Sequence, residues 1–163
     1  MGRYWGVGLG NGWGCVGRVL KALGRGEGVE AASAVEGIQT SYDNEKTDEF
    51  VEPMVIVKDG APTATVKDGD SIIFFNFRPD RAREITRTFC DDEFTGFDRG
   101  ERVKTTYVCF TEYDVTIPNK LVAFVKEEIT NTFGAFLADR GLTQDRISGT
   151  EQSAHVTVFF NGG

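Results

Sequence analysis

The sequence predicts an α/β fold, and three features point that way. Short apolar strands alternate with stretches of helical spacing. Residues 71–77 are apolar on both faces, as a central strand covered on both sides should be. That strand runs straight into Arg78-Pro79-Asp80-Arg81, where a helix is expected to begin.

Residues 1–28 form a glycine-rich opening followed by a weak helix, roughly residues 16–23. Residues 29–42 place Ala31, Ala34, Val35, Ile38 and Tyr42 at helical spacing, so a helix is expected there. A polar loop covers residues 47–53. Met54-Val55-Ile56-Val57 is a short strand, Asp59-Gly60 a turn, and residues 63–66 a returning hairpin arm. Asp68-Gly69-Asp70 turns the chain into the strong strand. Pro79 suits a first helical position, where its missing N–H costs nothing, and Asp80 favours a helix N-terminus. The helix should run to about Cys90, with Ala82, Ile85 and Phe89 inward. An acidic loop covers residues 91–101, and a strand covers 103–110. Residues 113–122, with Pro118-Asn119, read as a connection. Residues 125–140 have an amphipathic helical pattern that stops at Gly141. Residues 146–148 and 156–160 are expected as strands. A strand followed by Asn161-Gly162-Gly163 predicts an interrupted chain.

Composition narrows the function. At 163 residues, 40% hydrophobic and 26% charged, the chain can build a core. No apolar run approaches the roughly 20 residues that span a bilayer. No basic-then-apolar leader opens the chain, which points away from secretion. Cys15, Cys90 and Cys109 are odd in number and far apart, which fits a reducing cytoplasm better than a disulfide framework. A net charge of −7 argues against a nucleic-acid surface, while a few arginines still suffice for a local anion pocket.

The best chemical signal is Phe77-Arg78-Pro79-Asp80-Arg81. Ligands gather at the carboxyl ends of strands in α/β sheets. Helix N-termini attract anions, and guanidinium forks match phosphate or carboxylate oxygens. Arg78 and Arg81, three apart on one helical face, are expected to form such a clamp. The competing reading pairs them with Asp80, Glu84 or loop acids as solvated surface charge. The run Gly6-Val7-Gly8-Leu9-Gly10-Asn11-Gly12 is no dinucleotide loop, because Asn11 and Trp13 stand where glycines are needed. His155 is the single histidine and cannot build a His-rich metal site. The acid pairs Asp91-Asp92 and Glu127-Glu128 are sequence neighbours and point apart.

Several strings together resemble one family. They are Thr47-Asp48-Glu49-Phe50-Val51-Glu52-Pro53; Lys67-Asp68-Gly69-Asp70-Ser71-Ile72-Ile73-Phe74-Phe75-Asn76-Phe77-Arg78-Pro79-Asp80-Arg81-Ala82-Arg83; Thr111-Glu112-Tyr113-Asp114; and Ala154-His155-Val156-Thr157 with Phe159-Phe160-Asn161-Gly162-Gly163. In order and spacing they are similar to the cofactor-independent (2,3-bisphosphoglycerate-independent) phosphoglycerate mutases. The resemblance implies an internal fragment: the later part of an inserted phosphotransferase domain (residues 1–115), a linker (116–122), and the start of the re-entering alkaline-phosphatase-like domain (123–163). It implies an isomerase of glycolysis that interconverts 3-phosphoglycerate and 2-phosphoglycerate through a phosphoserine, in the cytoplasm, as a monomer at full length. Two manganese ions serve the full-length family, without 2,3-bisphosphoglycerate; their ligands and the serine are expected outside this chain. No nucleic acid or membrane partner is implied.

Arg3, Arg78 and Arg81 match the family's substrate arginines. A further arginine is expected where Leu9 stands, and an active-site lysine where Gln152 stands. Losing one charge-assisted hydrogen bond costs roughly 1.5–3 kcal/mol. At a transition state that is about one to two powers of ten in rate. Much of the glycine, 20 residues in all, is crowded into residues 2–28. A decayed or error-bearing gene copy would account for it, since Asp to Gly, Glu to Gly and Arg to Gly each need one base change; resequencing the source DNA separates the two. The rivals to a mutase are a non-catalytic phosphoglycerate-binding module and a folding fragment with open edges. The isolated chain is expected to be inactive.

Overall fold

The computed structural model describes residues 1–7 and 12–162, apart from the Glu151 side chain. The chain divides into two compact units, Met1–Val125 and a second from Lys126 onward.

In the first unit, α1 (Arg3–Gly6) and α2 (Trp13–Leu20) are short, and a π-helical turn (Lys21–Arg25) extends α2. The expected helix at 16–23 therefore starts earlier and widens at its end. Gly26, at φ 68°, closes it.

Residues 29–42 are not one helix. Val29–Ala31 is a strand, β1, and α3 begins at Ala34 (Ala34–Asp43). The reason is local. Ser33 is an extended N-cap whose hydroxyl accepts the Glu36 N–H at 3.2 Å, so the helix cannot start before it. That frees residues 29–31 to pair in parallel with β2 (Met54–Lys58), Val29 opposite Met54. β2 turns through Asp59 and Gly60, both at positive φ, into a minimal antiparallel arm, β3 (Ala61–Pro62). The hairpin is as expected, but its arm comes two residues earlier than residues 63–66.

The second sheet carries the site. β4 (Ser71–Phe74), β5 (Thr106–Thr111) and β6 (Lys120–Phe124) are all parallel, with β5 in the middle. The strong strand is thus shorter than residues 71–77, and among the described strands it lies at a sheet edge. One face is covered: Ile72, Phe74, Tyr107 and Cys109 pack against Val16 and Val19 of α2 and against Ala82, Ile85 and Phe89 of the segment leading into and forming α4 (Arg83–Cys90). The inward positions expected for that helix are borne out. The other face is open. Ile73 and Leu121 are exposed there, and Phe75, Phe110 and Phe124 form a row with ring centroids 4.6 and 4.8 Å apart. Two-sided apolarity in the sequence predicted cover on both faces; α2 and α4 supply it on one.

Residues 113–122 do more than connect. Tyr113 and Ile117 are buried in the core, and Lys120–Phe124 is a sheet strand. The Tyr113 hydroxyl shares its proton between the carbonyls of Phe74 (2.8 Å) and Asn76, and accepts the Phe110 N–H at 3.3 Å. Burial pushes its pKa up to about 12, so it stays a donor.

In the second unit, the helix expected at 125–140 shrinks to α5 (Phe133–Ala138). Asn131 is left-handed (φ 55°), and Thr132 caps the helix by accepting the Ala135 N–H. Gly141, at φ 68°, ends the segment as expected. Residues 146–148 and 156–160 are not strands. No described strand lies in this unit to take their backbone groups. Residues 156–160 bond locally instead, in and around α6 (Ser153–Val156) and a 3-10 turn (Phe159–Asn161), while residues 146–148 have no regular structure.

Two tests follow from the first unit. Tyr113→Phe removes the hydroxyl bonds to Phe74, Asn76 and Phe110 and should cost about 1–3 kcal/mol in urea unfolding; an unchanged midpoint would refute the staple. Asp114 accepts from the Thr116 hydroxyl and N–H and from Arg87. Against the opposing effect of burial, these bonds hold its carboxyl at about 2, below the ordinary 3.8. Its stabilisation is complete above the ordinary value and disappears as pH falls through about 2. Asp114→Asn should therefore be less stable than the parent at pH 6, by on the order of 2 kcal/mol, with the gap closing toward pH 2. A gap that stays constant over that range would rule the carboxylate out as its cause.

Candidate functional site

The carboxyl ends of three parallel strands lie on one side of the sheet, and β4 leaves it at Phe74. Thr111, the last residue of β5, donates its hydroxyl to the Phe77 carbonyl at 2.7 Å. With the Tyr113 bonds, this fixes the path of residues 74–77 without a strand partner. The chain then turns: the Ala82 N–H reaches the Pro79 carbonyl at 3.1 Å, and α4 begins only at Arg83. Arg78 and Arg81 therefore sit on a loop before the helix rather than on its first face. Proline disfavours helical backbone in the residue before it, which keeps Arg78 out of a helix. Arg83, the next in the series, is structural: its Nε–H donates to the Tyr113 carbonyl at 3.1 Å.

The loop meets the N-terminal segment. Arg81 donates from Nη1 to the Val7 carbonyl at 3.4 Å. Val7 caps α1, and its N–H bonds Arg3 O. From α1, Arg3 reaches Glu49: Nη2 to Oε2 at 2.7 Å and Nε to Oε1 at 3.3 Å. The Arg3 hydrogen bonds hold the Glu49 carboxyl below the usual carboxylate range; burial opposes this, and the charges of Arg3 and Arg81 add to it. The same pair raises the Arg3 guanidinium. Arg3 thus binds Glu49 directly, while Arg81, 78 residues away in sequence, contacts the cap of α1 at Val7 and adds only its charge to that carboxylate. Arg78 is engaged by Asp80, Nη2 to Oδ2 at 3.0 Å, with much of its side chain exposed. That is the surface pairing weighed from the sequence, and such an exposed pair is worth at most about 1 kcal/mol.

Glu49 is the residue that sequence reasoning missed. It lies in a 3-10 turn (Asp48–Phe50) that packs on α1. The Gly2 N–H donates to the Val51 carbonyl at 2.7 Å and the Trp5 indole N–H to the Phe50 carbonyl at 3.1 Å. Gly2 is needed for the close approach, since a Cβ there would stand 2.0 Å from the Glu49 carbonyl oxygen. A lone acid in a polar loop has no spacing signal of its own.

Leu9 lies outside the described residues. Gln152 ends a 3-10 turn (Thr150–Gln152) in the second unit, where His155 packs its ring against Phe159 at 5.3 Å. Among the described residues no three His, Cys, Asp or Glu side chains stand together to hold a metal ion. The three cysteines are free thiols, and burial raises those of Cys90 and Cys109 to about 12 and 11. No described helix is long and apolar enough to cross a membrane.

Residues 1–115 match the family described as BPG-independent PGAM N-terminus (iPGM_N). The chain is similar to the 2,3-bisphosphoglycerate-independent phosphoglycerate mutase of Lachnoclostridium phytofermentans, with 61% identity covering 99% of this chain and 32% of that protein. It is 54% identical to the corresponding Clostridium perfringens protein (strain 13), covering 99% of this chain and 31% of the relative. For the Moorella thermoacetica protein the figures are 51%, 100% and 32%. The chain thus spans about a third of the length of these relatives. Among solved structures it is similar to the Leishmania mexicana phosphoglycerate mutase studied at low cobalt concentration, with a TM-score of 0.75 and 33% identity over 99% of this chain and 30% of that one.

The tight seat of α1 on the 3-10 turn yields a direct test. Gly2→Ala should force the two apart and lower stability by about 1–3 kcal/mol. Trp5 fluorescence during denaturation reports on the same contact, and an unchanged transition would mean that the approach is not needed.

Proposed function

The chain belongs to the 2,3-bisphosphoglycerate-independent phosphoglycerate mutase family, and we propose on that premise that Arg3, Arg78 and Arg81 are its contribution to the substrate clamp. The observation that carries the reading is the meeting of Arg3 and Arg81 beside the carboxyl end of a parallel sheet. Guanidinium groups bind phosphate and carboxylate oxygens in pairs, and phosphoglycerate offers both anions. Arg78 would exchange Asp80 for substrate, a small loss given how exposed that pair is.

The intact protein interconverts 3-phosphoglycerate and 2-phosphoglycerate through a phosphoserine. This chain's part is to hold the glycerate while it reorients between the two transfers. Its arginines supply orientation and neutralise charge, so the effect comes from positioning and electrostatics. The serine and the manganese ligands lie in other parts of the intact protein, where the metal would stabilise the transferring phosphoryl group. Residues 1–115 belong to the phosphotransferase domain, 116–122 link it onward, and 123–163 begin the phosphatase-like domain. The match of residues 1–115 to the family model supports the first of these bounds.

The test is a calorimetric titration of the chain with 3-phosphoglycerate, alongside Arg78→Ala, with mutase turnover assayed on the same samples. Saturable binding is expected, weakened about tenfold or more in the variant, the size of one charge-assisted contact. No turnover is expected from this chain alone. A folded chain that takes up no 3-phosphoglycerate would overturn the clamp reading for this chain and leave only its family membership. Turnover by the chain itself would overturn the division of labour.

A further inference from the structure

Arginine presents two bidentate edges: a side-on edge of Nε–H and one Nη–H, and an end-on edge formed by the two outward Nη–H groups. Glu49 takes the side-on edge of Arg3, with contacts of 3.3 Å to Nε and 2.7 Å to Nη2. Among the described residues no acceptor engages Arg3 Nη1. The end-on edge is left for an anion.

As a stabilising interaction the pair is weak. Both side chains are exposed, 56% for Arg3 and 36% for Glu49, where screening by water leaves an ion pair little net stability. Yet the turn that carries Glu49 is held from several sides. The Tyr42 hydroxyl donates to Asp48 Oδ1 at 2.6 Å. Asp48 itself is left-handed, at φ 42°, which is uncommon outside glycine. The Gly2 and Trp5 N–H groups bond the turn's far end, and the Tyr4 and Phe50 rings lie 5.6 Å apart. Glu49 and α1 therefore move as one piece, and a rigid acceptor fixes a flexible cation.

We infer that Glu49 is a positioning residue: it locks Arg3 through its side-on edge so that the end-on edge receives one anionic group of the substrate. This deepens the clamp reading and rests on it. The net charge of the trio stays positive, since Arg3 and Arg81 outweigh one carboxylate, so Glu49 directs the arginines without cancelling them.

Two measurements on the whole 163-residue chain test it. In the first, NMR of the arginine Nε–H groups in the free protein should show Arg3 Nε–H slowed in solvent exchange. That protection should be lost in Glu49→Ala and partly kept in Glu49→Gln, whose amide oxygen still accepts. In the second, calorimetry with 3-phosphoglycerate should show Glu49→Ala weakening binding several-fold. Arg3→Ala should weaken it about tenfold or more, and the double variant should bind no worse than Arg3→Ala alone, because Glu49 acts through Arg3. Unprotected Arg3 Nε–H in the parent chain overturns the inference. So does tighter binding by Glu49→Ala, which would make Glu49 a competitor for Arg3, or a Glu49→Ala penalty undiminished without Arg3, which would make its role structural. If the parent chain shows the protected Nε–H but takes up no 3-phosphoglycerate, the clamp reading falls, and the assignment of Arg3's free edge to substrate falls with it; the side-on lock alone stands.

Discussion

The arginine loop depends on one buried hydroxyl. β4 ends at Phe74, yet Arg78 lies four residues further on, and nothing in the sheet pairs with the stretch between. Unpaired backbone at the end of an edge strand would ordinarily fray. Here Tyr113, from beyond β5, brings its hydroxyl to the Phe74 and Asn76 carbonyls, and Thr111 brings another to Phe77. The Tyr113 ring is fixed in turn by the core, edge-on to Phe74 with centroids 6.0 Å apart. Its own carbonyl takes the Arg83 guanidinium, which ties the start of α4 to the same point. The exit of one strand, the end of its neighbour and the start of the helix are joined through a single residue, and the loop with Arg78 and Arg81 is what they bracket.

The charges on that loop gain meaning from where they meet. The protein carries seven excess negative charges, and the ion pairs Arg3–Glu49, Lys46–Glu52 and Arg78–Asp80 are half-exposed links that add little to stability. Arg87 differs: burial works against its charge, and hydrogen bonds to Asp114 and Asp91 outweigh that and raise its pKa. It anchors the C-terminal half of α4. Arg3 and Arg81 are exposed or only loosely bound, so they remain available. Arg83 and Arg87 are tied into the fold, while Arg3 and Arg81 are the pair on which the proposed anion site draws.

What the sequence made legible follows the strength of the local signal. The apolar face of α4 (Ala82, Ile85, Phe89) was readable because helical spacing and burial agree there. β2, β4 and β5 were readable because apolar runs between turn residues leave few alternatives. β1 was not: three residues give no periodicity, and their neighbours continue a helical pattern that only the Ser33 cap interrupts. The helix at 125–140 failed similarly, since its apolar spacing is real but Asn131 and Thr132 restart the chain at Phe133. Residues 146–148 and 156–160 have strand-like composition and no strand beside them, and composition cannot supply a partner. In the site, Arg78 and Arg81 stood out by chemistry, Arg3 only by resemblance, and Glu49 by neither, because its role comes from a turn packed on a helix 45 residues away in sequence.

The half-covered sheet explains why hydrogen bonds rather than packing hold the site. In an open α/β sheet with helices on both faces, a strand end is confined from two sides, and its loop inherits that confinement. Here α2 and α4 cover one face, while Ile73, Phe75, Leu121 and Phe124 remain exposed on the other. β4 nevertheless has the two-sided apolar sequence of a confined strand. Van der Waals confinement of residues 75–78 is accordingly one-sided, and the remaining degrees of freedom are removed by Thr111 and Tyr113. Directional bonds of this kind fix the backbone path but leave the side chains beyond it free to turn. Arg78 is exposed and held only by its neighbour Asp80, whereas Arg3 has Glu49 on a rigid turn and Arg81 has Val7 on the cap of α1. The contacts of the three arginines are therefore graded: two bonds to a carboxylate at Arg3, one long carbonyl contact at Arg81 and an exposed pair with a near neighbour at Arg78. In the clamp proposed above, the firmly held Arg3 would orient an incoming anion, and the exposed Arg78 would be the one to exchange its partner for it.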